Sequence, residues 1–223
     1  MKVAVLFSGG KDSNYAMYLA SKYHEISCLI NLKSKNQNSY MFQSAGSNLL
    51  ELQAESLNIP LLQHPTKGEK EEELKDLKKA IKKAKDKYKI KGLVTGAIKS
   101  AYQSSRIQKI CLELSIECFN PLWQINEKNF LEELIKDKFE TILVGIFAYP
   151  LDKSYLGKTL NKQLLAKLQT LSPIPSIIGE GGEYESFVIN SPMFKKRLNI
   201  TKSEKIMDGE NSGVLEIKEV NLE

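Results

Sequence analysis

The chain has 223 residues, of which 42% are hydrophobic and 26% are charged. This composition is ordinary for a soluble globular protein and allows one large hydrophobic core or two small ones. Three cysteines without a Cys-x-x-Cys pair, and only two histidines, argue against a disulfide framework or a zinc cluster. The net charge of +5 comes from scattered lysines and does not by itself predict nucleic acid as a partner. No apolar stretch has the length of a membrane span and no segment resembles a signal peptide, so we expect a cytoplasmic location without a membrane partner.

In the first half, short apolar runs alternate with segments that repeat apolar residues every three or four positions. The short runs are typical of strands buried on both faces, and the longer repeat is typical of helices packed on one face. The pattern predicts strands at residues 3–7, 25–32, 59–62, 92–96 and 116–119, and helices at 13–23, 49–57, 69–89 and 101–114. Such alternation indicates an α/β fold with a parallel sheet that binds ligands beyond the carboxyl ends of its strands.

The second half has a different pattern, typical of a smaller α+β unit. It predicts helices at 130–139 and 160–171, a loop at 172–182, and strands at 141–147 and 187–189. Residues 198–220 alternate in polarity and contain Asp-Gly and Ser-Gly turns, which predicts a hairpin. We therefore predict two domains, at residues 1–122 and 123–223.

A glycine-rich turn joins the first predicted strand to the first predicted helix. It consists of Ser8, Gly9, Gly10, Lys11, Asp12 and Ser13. A helix start offers free backbone N–H groups and a positive dipole end, the two glycines allow close approach and positive φ, and the lysine adds charge. The order differs from a Walker A loop, in which Gly-Lys-Ser/Thr follows an earlier glycine. We predict a phosphate site here; the alternative is a tight turn without a ligand.

Three further motifs carry candidate site residues. A polar loop after the second predicted strand contains Tyr40 and Met41. The segment at residues 96–106 contains Gly96, Tyr102, Gln103 and Arg106. The segment at residues 179–186 combines glycines with acidic residues and contains Glu180, Gly181, Gly182, Glu183, Tyr184 and Glu185.

Together with the glycine-rich turn, these motifs resemble those of the diphthine–ammonia ligase family of pyrophosphate-loop ATPases, of archaeal type. The resemblance runs in order over most of the chain, and the acidic-glycine motif followed by Tyr-Glu-Ser is its most specific part. It implies a Rossmann-like parallel five-stranded sheet (HUP-type) with a smaller α+β C-terminal domain. It also implies ATP and Mg²⁺ as cofactors, and ammonium and translation elongation factor 2 as partners, with a homo-oligomer left open.

The reaction that this resemblance implies is the ATP-dependent amidation of diphthine, a modified histidine on the elongation factor, to diphthamide. A carboxylate is a poor electrophile toward ammonia, so transfer of AMP to it creates a leaving group and divides one hard step into two. The expected products are AMP and pyrophosphate. The chain has no glutaminase-like segment, so free ammonium is the expected nitrogen source.

For the nucleotide, the resemblance implies binding by the glycine-rich turn together with Tyr40, Met41 and Gly96. The Lys11 ammonium and the backbone donors of Gly9, Gly10 and Lys11 would stabilise the departing pyrophosphate. Asp12 is expected to act in catalysis by holding Mg²⁺; the alternative is a helix cap.

For the acceptor, the implied residues are Glu180, Gly181, Gly182, Glu183, Tyr184 and Glu185. Glu183 and Glu185 are the candidate catalytic residues. With Tyr184 they would hold the trimethylammonium of diphthine or guide ammonium, since carboxylates and aromatic faces suit cations. The alternative is a polar loop that closes a domain.

Arg106 would clamp a carboxylate or a phosphate with Tyr102 and Gln103, one turn earlier in the same helix. The alternative is a surface arginine that pairs with nothing. Two residues depart from the family pattern: Gln43 stands where histidine is usual, and Gln108 lies near a position that is usually acidic. Both keep hydrogen-bonding capacity but lose charge or titration.

Other functions share the same ATP chemistry. One alternative is a tRNA-modifying enzyme, although neither a reactive cysteine pair nor a dedicated basic domain is evident in the sequence. A second is a small-molecule amide-forming ATP pyrophosphatase, and a third is a non-enzymatic nucleotide sensor.

Overall fold

The computed structural model describes residues 1–34, 49–66, 70–173 and 176–223. Its first half is a sheet with helices on both faces. The elements are β1 (Lys2–Leu6), α1 (Lys11–Ser21), β2 (Glu25–Ser34), α2 (Leu50–Leu57), β3 (Leu61–Thr66), α3 (Lys70–Tyr88), β4 (Gly92–Val94), α4 (Ala101–Glu113) and β5 (Glu117–Phe119). The strand order is β3-β2-β1-β4-β5, and all neighbouring strands are parallel. The Rossmann-like five-stranded sheet predicted from the sequence is confirmed.

The apolar residues of β1 are divided between the two faces of the sheet. Val3 and Val5 pack in one hydrophobic cluster with residues of α1 and α2, whereas Ala4 packs in a second cluster with residues of α3 and α4. The division follows from the alternation of side chains along a strand. Since helices cover both faces, a ligand is expected at the carboxyl edge of the sheet.

The second half forms an antiparallel sheet with two helices. Its elements are α5 (Glu127–Lys136), β6 (Glu140–Ile146), α6 (Lys162–Thr170), β7 (Tyr184–Asn190), β8 (Leu198–Met207) and β9 (Gly213–Leu222). The strand order is β7-β6-β9-β8, and β8 and β9 form the predicted hairpin. The smaller α+β half is therefore confirmed.

The two halves share one hydrophobic core. Phe130 of α5, Leu143 of β6 and Phe187 of β7 belong to the same cluster as Val3 and Val5 of β1. The second half therefore packs on the face of the first sheet that α1 and α2 cover. The domain boundary at residue 122 stays a prediction. Among the helices that the structure describes, none combines the length and the apolar character needed to cross a bilayer.

Several element starts differ from the predictions. α1 begins at Lys11 rather than at residue 13, because Gly10 has an extended backbone and serves as the N-cap. α5 begins at residue 127 rather than 130, because the Asn126 side chain accepts a hydrogen bond from the backbone N–H of residue 129 and caps the helix. β3 begins at residue 61 and β7 at residue 184, where each first pairs with its neighbouring strand.

Candidate active site

A cleft of about 420 Å³ lies at the carboxyl edge of the parallel sheet. One side is formed by residues at or after the ends of β1 and β4, by two residues within β2, and by the start of α1 and the first two turns of α4. The other side is formed by Phe147, after β6, and by residues of the segment at 179–186. The cleft therefore lies between the two halves of the chain, at the edge where the sequence predicted a ligand site.

The glycine-rich turn is braced by the second half of the chain. Gly9 has a φ of +81°, and its carbonyl oxygen accepts hydrogen bonds from the Val188 N–H at 3.0 Å and from Gln53 Nε2 at 3.1 Å. Gly10 has a φ of −78°, so the prediction of a positive φ was wrong for this residue. A glycine is needed here because there is little room for a side chain: a Cβ on Gly10 would lie 3.1 Å from the backbone oxygen of Ser186.

Two backbone N–H groups that were predicted to bind phosphate donate to hydroxyl groups. The Gly10 N–H donates to Ser8 Oγ at 3.4 Å, and the Lys11 N–H donates to Ser186 Oγ at 3.2 Å. Ser8 Oγ in turn lies 3.2 Å from Ser13 Oγ. Each of these hydroxyls can act as donor or acceptor, because its hydrogen rotates to suit its partners.

Lys11 is a buried cation at the start of α1. Only 3% of the residue is exposed, yet it lines the cleft. Its Nζ lies 3.0 Å from the Asp12 carboxylate and 5.4 Å from the centre of the Tyr184 ring. A cation with one carboxylate partner in such a low-dielectric site exerts a stronger pull on an added anion than an exposed lysine would.

Two carboxylates lie near this cation. Asp12 lies in the first turn of α1, whose N-cap is Gly10, so the alternative of Asp12 as the helix cap is wrong. Glu180 also lines the cleft, and its Oε1 accepts from the Lys99 N–H at 3.0 Å. Burial, opposed by that hydrogen bond and supported by the negative charge of Asp12, raises the pKa of Glu180. The described residues contain no cluster of three or more His, Cys, Asp or Glu residues suited to a metal ion.

The acidic-glycine segment turns one of its carboxylates inward. Glu183 is 2% exposed and does not line the cleft, and its Oε2 accepts from the Gly181 N–H at 3.0 Å. The Tyr184 hydroxyl donates to the carbonyl oxygen of Ile177 at 2.8 Å, and burial, with the nearby charge of Asp12, raises the pKa of Tyr184. Glu185 lines the cleft. Glu183 therefore holds the backbone of its own segment, whereas Glu185 lies at the surface of the cleft.

Gly96 follows β4 and packs directly against the start of α1. A Cβ on Gly96 would lie 2.8 Å from the backbone carbon of Asp12 and 2.9 Å from the backbone nitrogen of Ser13. No side chain fits there without a backbone shift. Gly96 also lines the cleft, so this close approach sets the distance between β4 and the helix start.

Arg106 is engaged within its own helix. Its guanidinium carbon lies 3.4 Å from the centre of the Tyr102 ring, and Nη1 donates to the Tyr102 carbonyl oxygen at 3.4 Å. Of the three predicted clamp residues, Gln103 lines the cleft, whereas Arg106 and Tyr102 do not. The alternative of an arginine that pairs with nothing is wrong, because the ring and the carbonyl oxygen of Tyr102 contact the guanidinium. Gln108 is exposed on the same helix.

The cleft brings together most of the predicted site residues that the structure describes. Those that line it are Ser8, Lys11, Asp12, Ser13, Gly96, Gln103, Glu180, Gly182, Tyr184 and Glu185. Those that do not line it are Gly9, Gly10, Tyr102, Arg106, Gly181 and Glu183. Tyr40, Met41 and Gln43 lie outside the described residues.

Other lining residues were missed by the sequence reasoning. Asn31 of β2 is buried, and its Nδ2 donates to the Phe7 carbonyl oxygen at 3.0 Å, which fixes the amide at the cleft wall. Phe147 and Ser186 reach the cleft from the second half. Ser186 was visible as the last residue of the Tyr-Glu-Ser motif. No comparable signal marks Asn31 or Phe147 in one sequence.

The sheet order defines a Rossmann-like α/β protein, in which the Ser-Gly-Gly-Lys-Asp-Ser turn that resembles a pyrophosphate loop follows β1 and opens α1. Comparison with protein-family models matches residues 1–118 to the diphthamide synthase N-terminal domain and residues 126–222 to the diphthamide synthase C-terminal domain. The chain belongs to the diphthamide synthase family. The resemblance identified from the motifs is confirmed.

Curated relatives agree with this family. Diphthine–ammonia ligase of Mus musculus is 34% identical over 93% of this chain and 85% of the relative, and that of Homo sapiens is 32% identical over the same shares. Among solved structures, a predicted subunit of tRNA methyltransferase from Methanocaldococcus jannaschii matches with 21% identity and a TM-score of 0.46. That match covers 86% of this chain and 98% of the other.

Proposed function

We propose that the chain is a diphthine–ammonia ligase that uses ATP and free ammonium to amidate diphthine on translation elongation factor 2. The observation that carries the proposal is a single cleft with a buried lysine at a helix start on one side and an acidic-glycine segment on the other. Membership of the diphthamide synthase family supports it. The cytoplasmic location, the archaeal type and a homo-oligomer stay predictions.

The cleft has two chemically distinct ends, which suggests how ATP lies in it. Leu6, Ile30 and Ile107 supply apolar wall and suit the adenine ring. Lys11 and the hydroxyls of Ser8 and Ser13 lie at the start of α1 and suit the phosphates. We infer that the triphosphate lies along the helix start, so that the α-phosphorus faces the acceptor side of the cleft.

The reaction follows from that placement. The diphthine carboxylate attacks the α-phosphorus, the bond to the β-phosphate oxygen breaks, and pyrophosphate leaves with the negative charge. Lys11 stabilises that charge as it grows, and one such donor in a site of low dielectric lowers the barrier by about 3 kcal/mol. Ammonia then attacks the acyl-adenylate carbonyl and AMP leaves, which forms the amide.

Ammonium must lose a proton before it can attack. Glu180 lines the cleft and burial raises its pKa, so it is suited to take up that proton. Glu185 offers a second carboxylate at the cleft surface for a cationic substrate. Glu183 holds the Gly181 N–H and thereby fixes the shape of the segment that presents Glu185.

The residues present fit Mg²⁺ that arrives with the nucleotide. Mg²⁺ takes one or two protein carboxylates and completes its shell with phosphates and water. Asp12 lines the cleft at the helix start, and its carboxylate, which lies 3.0 Å from Lys11 Nζ, is the type of ligand that Mg²⁺ takes from a protein. Asp12 would hold the ion, which would neutralise phosphate charge when bound.

The test is to incubate the protein with ATP, Mg²⁺, ammonium and an elongation factor that carries diphthine. Mass spectrometry follows conversion of acid to amide, and chromatography separates AMP from ADP. We expect amide and AMP in equal amounts. ADP with orthophosphate, or AMP release that requires RNA or a small acid instead of the factor, would replace this proposal with one of the alternative functions.

A further inference from the structure

Phe147 is an exposed aromatic residue at the cleft. It follows β6 directly, 42% of it is exposed, and it lines the cleft opposite the parallel sheet. The other strongly exposed large apolar side chains in the described part of the chain, among them Tyr23 and Tyr149, do not line it. Because ligand sites are lined largely by apolar and aromatic side chains, this ring is in a place to contact a ligand in the cleft.

Neighbouring residues fix where the Phe147 ring lies. A Cβ on Gly145 would lie 2.7 Å from ring atoms of Phe147 and 3.2 Å from Glu185 Cβ, so the ring packs on the Gly145 backbone. Gly145 pairs with Glu185 across the β6–β7 ladder, and the Phe147 N–H donates to the Glu183 carbonyl oxygen at 2.9 Å. The ring and the Glu185 side chain therefore stand side by side.

Phe7 and Tyr184 are the other aromatic residues that line the cleft, and Phe7 is 2% exposed. Tyr184 is 2% exposed, its ring lies 5.4 Å from Lys11 Nζ, and its hydroxyl is bonded to a backbone oxygen. In the described residues, no lysine or arginine lies over the Phe147 ring. Of these three rings, only that of Phe147 is exposed enough to offer a face to a further cation.

We propose that Phe147 and Glu185 form the subsite for the quaternary ammonium group of the acceptor. A trimethylammonium has no N–H to donate, and its charge is spread over its methyl groups, so it is held by an aromatic face and a nearby carboxylate. The inference rests on the proposed function and adds to it a residue that selects the methylated acceptor. In this proposal the Tyr184 ring contacts Lys11 and does not hold the trimethylammonium, which differs from the role predicted for it from the sequence.

The subsite makes a prediction about selectivity. A primary ammonium can hydrogen-bond to a carboxylate and depends little on the ring, whereas the trimethylated group depends on it strongly. Removing the ring should therefore lower kcat/KM for the trimethylated acceptor by about tenfold, with much of the loss in KM, and change the primary-amine acceptor little. Affinity for ATP should stay the same.

The experiment compares wild type, Phe147→Leu and Phe147→Trp on two forms of the elongation factor. One form carries the trimethylated side chain and the other carries the same side chain with a primary amine. Tyr23→Leu, which removes an exposed aromatic ring away from the cleft, is the matched control and should behave as wild type. Phe147→Trp should keep the preference for the trimethylated form, since tryptophan is the stronger cation–π partner.

The outcomes are separated by the ratio of kcat/KM for the trimethylated form to kcat/KM for the primary-amine form, because a general loss of folded protein lowers both values alike. A ratio for Phe147→Leu that is lower than that of wild type supports the subsite. An unchanged ratio, with wild-type amidation intact, overturns the inference but leaves the proposed function standing. If wild type amidates neither form, the proposed function fails and the subsite fails with it.

Discussion

Replacing Gly96 by alanine tests how the first turn of α1 is held in place. The new Cβ would lie 2.8 Å and 2.9 Å from backbone atoms of Asp12 and Ser13. To restore an ordinary contact of 3.4 Å, the helix start must move by about 0.6 Å relative to β4, since a close-packed interior transmits such strain instead of absorbing it. Overpacking of this kind costs about 1–3 kcal/mol of unfolding free energy.

The same shift should lower the rate of AMP formation by more than the loss of stability alone would explain. A misplacement of about 1 Å can cost about 100-fold in rate, so a smaller shift of the helix start that we propose to bind phosphate should lower kcat/KM for AMP formation by about tenfold. Denaturant unfolding and pyrophosphate release are measured on the same preparations. The matched control is Gly209→Ala, in the β8–β9 turn, where φ is +116° and no described atom lies within 4 Å of the new Cβ.

The control separates strain at the cleft from loss of stability. Gly209→Ala forces a side chain into left-handed backbone space and should cost about 1–2 kcal/mol while kcat/KM stays unchanged. If Gly96→Ala forms AMP at the wild-type rate, or if both variants lose activity in proportion to stability, the helix start does not depend on this glycine and the reasoning is refuted.

Three further substitutions have separate expected results. Lys11→Met should lower kcat/KM for AMP formation by about 100-fold or more, and the melting temperature should also fall because the Asp12 carboxylate loses its cation; undiminished AMP formation by the folded variant would contradict the role of Lys11. Arg197→Met should lower the free energy of unfolding at pH 7. Burial raises the pKa of Glu140, but hydrogen bonds from Arg197 and Asn190 outweigh it and lower that pKa. A lowered carboxyl pKa stabilises the fold above the unfolded pKa of about 4. Denaturant titrations should therefore show the difference from wild type shrinking as Glu140 is protonated at lower pH, and a constant difference would rule this out. Asn161→Ala removes the side-chain cap of α6 and should cost about 1 kcal/mol in denaturant unfolding, with pyrophosphate release unchanged.

The fold was predictable because its signals are local. The run Val3-Ala4-Val5 is apolar on both faces of a strand, and in the structure it is divided between two buried clusters. The wrong starts of α1 and α5 have a common cause, which is that caps depend on backbone conformation. Gly10 and Asn126 are the N-caps that set those starts, and a pattern of apolar residues does not show where an N-cap lies.

The site was predictable only as far as it is contiguous in sequence. The glycine-rich turn could be found because its residues are adjacent, and several of them line the cleft. Ser186 meets Lys11 across 175 positions of chain, and Phe147 reaches the cleft through the β6–β7 ladder. Proximity of this kind is set by packing and leaves no pattern in one sequence.

The hydrogen bond from the Val188 N–H to the Gly9 oxygen ties the nucleotide side of the molecule to strand β7. If a triphosphate displaces the turn, β7 is displaced with it, and β7 begins with Tyr184 and Glu185, which line the cleft where we propose that the acceptor binds. Loading of ATP and docking of the acceptor should then influence each other by equal factors, as thermodynamic reciprocity requires. Titrating each ligand in the presence and absence of the other would give the size of that coupling directly.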